Sequence, residues 1–146
     1  MEKRSVVTKI LAVAGTILAW FPLLAPILLS TMMLAASGMW RFDYLMPAEL
    51  FPAALAGSVL LLWAALRAHA YVRLIAWGLG LAAVMLAGGQ GLAVVTGLAS
   101  GEIEPAGWPW LLVLASLGLY ALGVLLVAIG GALLVRDLFR RSAPAR

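Results

Sequence analysis

Few residues in this sequence have side chains able to do chemistry. Gln90, set in Gly88-Gly89-Gln90-Gly91, is the only side-chain amide in the chain. An amide both donates and accepts, so among apolar helices it either ties two of them together or lines a polar cavity. Arg41, Asp43 and Glu49 fall in a second polar region, the aromatic-rich segment Met39 to Pro52. They would form the rim of an outward-facing pocket, with Gln90 and Thr96 beneath it. The more economical reading is structural: aromatics lying among head groups, Arg41 paired with Glu49, Glu102, Glu104 or lipid phosphate, and Glu49 at the positive end of a helix dipole. The remaining inventory is thin. One histidine, His69, cannot supply a pair of axial haem ligands, and zero cysteines give no thiol chemistry. No nucleophile–histidine–acid set or phosphate loop occurs, so no cofactor, metal or catalytic residue is expected.

The elements that must position these residues follow from composition. Of 146 residues, 65% are hydrophobic and 11% charged, with a mean hydropathy of +1.10. Soluble domains carry about 25% charged residues. A soluble enzyme and a disordered chain are both excluded. Ten basic residues raise the pI to about 10.1, but they sit at helix ends and form no basic face, so nucleic acid is not an expected partner. A helix needs about 20 apolar residues to cross a bilayer. Four stretches fit, at about 10–36, 48–66, 74–99 and 108–135. Alanine and leucine dominate and period-two alternation is absent, which predicts helices and not a membrane barrel. The expected fold is all-α: one domain, an integral membrane bundle of four transmembrane helices.

The first stretch is longer than the apolar core of a signal peptide, about 7–15 residues, and is expected to be a retained span. Pro22 and Pro26 predict a kink within it. Lys3, Arg4, Lys9, Arg67, Arg73, Arg136, Arg140, Arg141 and Arg146 share one side and only Arg41 takes the other. The positive-inside rule then puts both termini in the cytoplasm. Trp40, Trp108 and Trp110 mark the outer interface, and Trp63, Tyr71 and Trp77 the inner one.

Two patterns bear on packing. Ser37-Gly38, Pro47-Ala48 and Phe51-Pro52 after the first span are echoed by Ser100-Gly101, Pro105-Ala106 and Trp108-Pro109 after the third. Either a helical hairpin was duplicated, or two proline-capped loops look alike by chance. The third span carries two ridges of small residues at four-residue spacing, Ala83-Ala87-Gly91 and Gly89-Ala93-Gly97. Such ridges let helices approach closely, which predicts a third helix packed on two sides at the bundle's centre. Gly91→Leu would then destabilise the bundle, and replacing Gly15 would matter less.

No acidic or basic residue lies deep within a span. The four short helices resemble the layout of small multidrug exporters, but those depend on an acidic residue in the first helix, and none stands in 10–36. The string FDYLMPAELFP resembles segments of small bacterial membrane proteins, which implies a bacterial inner membrane. The leading expectation is a non-enzymatic, multi-pass structural or accessory protein. It would contact membrane lipids and associate with itself, as a homo-oligomer, or with other membrane subunits through its glycine-rich faces. The alternative is a small-solute transporter, channel or lipid-binding module using the outward pocket. A third reading, a membrane enzyme, would draw its carboxylates from Asp43 and Glu49 or Glu102 and Glu104.

Overall fold

The computed structural model describes residues 2–38, 47–101, 104 and 106–141, with side chains from Val6 in the first helix and Leu50 in the second. The chain is all-α: α1 (Glu2–Ser37), α2 (Pro47–Ala68), α3 (Val72–Val95) and α4 (Gly107–Arg140), with no strand among the described residues. All four helices are long and apolar enough to cross a membrane. Only 17% to 33% of each one's most apolar stretch is buried within the chain. Trp77, Ile17, Met32 and Trp108 are all largely exposed. So much exposed apolar surface needs lipid to cover it, and the protein is a multi-pass membrane protein.

Consecutive helices run antiparallel. The Lys9 amine lies 5.5 Å from the centre of the Phe139 ring, and the Tyr71 hydroxyl donates to Asp137 Oδ2 at 3.1 Å. These contacts gather the start of α1, the α2–α3 turn and the end of α4 at one end of the bundle, here the terminal end. The two longer connections lie at the other, the loop end. The α2–α3 turn is tight because His69 and Tyr71 adopt left-handed backbone, with φ of 53° and 57°. Histidine is among the side chains that tolerate this region best. α1 stays helical through Pro22 and Pro26. α3 stops at Val95, short of the expected Ala99, because Gly97 turns the chain at φ 78°.

Packing follows a pattern of glycines. In the α1–α2 pair, a Cβ on Gly57 would lie 2.7 Å from the Ala19 nitrogen and 2.9 Å from the Gly15 carbonyl oxygen. In the α3–α4 pair, a Cβ on Gly123 would lie 2.7 Å from the Ala82 nitrogen and 2.8 Å from the Gly78 carbonyl oxygen. The buried residues of α2 (Ala54, Gly57, Ser58, Leu61, Ala64, Ala65) recur at the same spacing as buried residues of α4 (Tyr120, Gly123, Val124, Val127, Gly130, Gly131). The described helices of the two hairpins are thus packed alike.

One expectation is corrected. α3 is packed on two sides, against α4 and α2, but α2 and α4 hold the middle: each packs against all three other helices, whereas α3 and α1 do not pack together among the described residues. Gly131 brings α4 against both Leu61 of α2 and Thr16 of α1, and Gly130 brings it against Ile75 of α3. These contacts build a core at the terminal end from Ala12, Ala19, Leu61, Ala64, Ile75, Val127 and Leu134. A smaller core at the loop end holds Ala54, Ala82, Leu86, Tyr120 and Val124.

Candidate functional site

The residues that the sequence singles out do not converge. Arg41 and Asp43 lie outside the described residues, and Glu49 stands in the first turn of α2 with its side chain outside them. Glu104 is exposed. Gln90 is exposed on α3, and no hydrogen bond engages it among the described residues. The hydroxyl of Thr96, the C-cap of α3, is already used, donating to the Leu92 carbonyl at 2.7 Å. Among the described residues, no three His, Asp or Glu side chains come together as metal ligands would.

The two small-residue ridges of α3 separate cleanly. Gly89 and Gly97 are buried, and a Cβ on Gly89 would lie 2.9 Å from Ser116 Cβ on α4. Ala93, one turn along α3 from Gly89, is half-buried, and Gly97 lies beyond the helix in the turn that ends it. This ridge is spent inside the chain. The other points away from α4: Ala87 and Gly91 are exposed, Ala83 is half-buried, and a Cβ on Gly80, Gly88 or Gly91 would meet nothing within 4 Å. Gly91 therefore takes no part in packing among the described residues. Gly15 does, with its missing Cβ 2.8 Å from Leu61 Cγ and 3.0 Å from the Gly57 oxygen. The expected ranking of substitutions at Gly91 and Gly15 is reversed.

Sequence reasoning passed over Tyr120. Hydroxyls at Thr16, Thr31, Ser58, Thr96 and Ser116 all return to a carbonyl one turn earlier in their own helix. A tyrosine ring is too long to do the same. Tyr120 is 6% exposed, and its hydroxyl is buried without a hydrogen-bond partner among the described residues. It borders a cavity of about 200 Å³ at the loop end, between α1, α2 and α4. α3, and with it Gln90, does not line this cavity.

At the terminal end, Tyr71 and Asp137 form a polar tie between the α2–α3 turn and α4. The hydrogen bond to Asp137 pushes the Tyr71 hydroxyl above the usual phenol range. Partial desolvation and the carboxylate charge add to this, against the opposing pull of Arg136 and Arg141. The tie orients elements and offers no nucleophile or proton path.

Compared with known proteins, the chain matches no family model, no curated protein and no solved structure.

Proposed function

We propose that this protein works by association within the bilayer, as a small structural or accessory component whose α3 face pairs with a second copy of itself. The observation that carries this reading is the outward ridge Ala83-Ala87-Gly91. It has the small-residue spacing that lets membrane helices approach closely, and its Ala87 and Gly91 are exposed. Gln90 stands at helix-face spacing from Ala83 and Ala87, on the flank of the same ridge. Its amide is self-complementary, so across a two-fold axis each copy donates to and accepts from the other. Interhelical bonds of this kind contribute about 0.6–2 kcal/mol in membranes. Another membrane subunit with a matching small-residue face would fit the same ridge. The proposed orientation has both termini in the cytoplasm, following the basic residues.

The test is energy transfer between donor- and acceptor-labelled chains diluted in liposomes. Wild-type chains should show transfer that saturates with acceptor and survives dilution with lipid. Gly91→Leu should lose it while keeping wild-type helicity and, in a monomeric preparation, the wild-type unfolding temperature. Transfer that falls in step with lipid dilution, as for randomly mixed monomers, would contradict the proposal.

The outward pocket over Gln90 draws on Arg41, Asp43 and Glu49, whose side chains lie outside the described residues.

A further inference from the structure

The loop-end cavity has an unusual wall. Pro22 and Pro26 of α1, Leu50 of α2, and Leu117 and Val124 of α4 make it apolar, and Tyr120 is its one polar side chain. The prolines carry no N–H, so the carbonyls of Leu18 and Pro22 lose their usual helical donor and the wall gains no donor from this stretch of α1. The Tyr120 hydroxyl is therefore the single donor on offer, and it is buried without a partner among the described residues. Packing alone does not call for it. Phenylalanine would fill the same space with no hydroxyl to satisfy, and the matching position of the first hairpin is Ala54.

Depth narrows the ligand. At about 1.5 Å per residue, Tyr120 lies roughly 18 Å along α4 from Trp108, near the middle of the hydrocarbon. Water is scarce there, so what meets the hydroxyl arrives through the bilayer. Ala121 lines the cavity and is exposed, so the cavity opens on the lipid-facing side of α4. A cavity of roughly 150 Å³ is enough to take up a benzene ring. The 200 Å³ present here thus holds one substituted ring or a short length of chain.

We infer that this cavity binds a lipid-soluble molecule that presents a carbonyl oxygen to the Tyr120 hydroxyl and an apolar body to the surrounding prolines and leucines. Two membrane sources carry that chemistry, the ring of a lipid-soluble quinone and the ester of an acyl chain. The inference is independent of self-association through α3, because none of the lining residues belongs to α3.

The experiment uses the full chain in detergent micelles and follows its unfolding temperature against decylubiquinone, methyl palmitate and hexadecane. At least one carbonyl probe should stabilise the wild type in a saturable way. Tyr120→Phe should fold at least as stably and raise that probe's apparent Kd about 3- to 20-fold, the loss of one hydrogen bond in a membrane protein. Ala121→Leu, which fills the mouth of the cavity from its exposed side, should abolish the shift. Decylubiquinone acting alone identifies a quinone, methyl palmitate acting alone an acyl ester, and both together a general carbonyl site. Three results overturn the inference: no saturable shift from either carbonyl probe, equal Kd in wild type and Tyr120→Phe, or stabilisation by hexadecane to the same degree.

Discussion

Gly57 faces the backbone of Ala19 so closely that a Cβ at position 57 would stand 2.7 Å from the Ala19 nitrogen. The same relationship, at the same distance, joins Gly123 to Ala82 in the second hairpin. In both cases the obstructing atoms are backbone, which cannot swing aside as a side chain can. The close approach of each hairpin's two helices therefore depends on a single hydrogen atom at one position.

Gly57→Ala and Gly123→Ala should each destabilise the fold by about 1–3 kcal/mol, the usual cost of forcing a methyl group into a packed core. Gly91→Ala and Gly80→Ala, which meet nothing within 4 Å, should leave the unfolding of a monomeric preparation unchanged. Unfolding in graded sodium dodecyl sulfate measures the difference. Equal stability across the four variants would mean that the two glycine contacts do not hold the hairpins together.

The Tyr71–Asp137 bond gives a pH dependence whose sign is fixed. A phenol held above its ordinary value of about 10 favours the folded state while it is protonated. Its contribution is fully present below that value and is lost as pH rises through the higher folded-state pKa. Asp137→Asn removes the leading cause of the shift and should return Tyr71 toward ordinary phenol behaviour. Ultraviolet difference titration against Tyr71→Phe isolates this hydroxyl. An unchanged titration in Asp137→Asn would show that the bond does not form in solution.

Orientation is tested separately. Reporters placed at either end of the sequence, and within the Arg67–Arg73 turn, should all report the cytoplasm, because the basic residues cluster there. An external signal from any one of them would overturn the proposed orientation.

Gln90→Leu distinguishes a bond within the chain from one between chains. With no partner among the described residues, its loss should leave monomer unfolding unaltered and weaken association by about 0.6–2 kcal/mol. A destabilised monomer would place the partner of Gln90 inside its own bundle.

The spans were legible because hydrocarbon thickness and apolar run length are one constraint read twice, and the paired loops Ser37-Gly38 and Ser100-Gly101 hinted at two like hairpins. Which glycines matter was not legible. Small residues in α3 recur at four-residue spacing on more than one face, and spacing alone does not say which face meets α4. Gly15 has no glycine-rich setting of its own in the sequence, because its significance lies in Gly57 across two helices. Tyr120 was missed for a related reason: a tyrosine within an apolar run gives no sign of whether its hydroxyl finds a partner. Arg41 and Asp43 lie outside the described residues, as does the side chain of Glu49, so the loop reading stays with the sequence.

Pairing of the outward face of α3 with a second copy of itself is directly measurable, because the sequence has no native cysteine. Single cysteines introduced at Ala87 on that ridge and at Ile17 on the exposed side of α1 can be oxidised in native membranes. Ala87→Cys should yield a covalent dimer at low expression and Ile17→Cys should not, with Gly91→Leu suppressing the first. No dimer from Ala87→Cys, or equal dimer from both positions, would contradict pairing through α3.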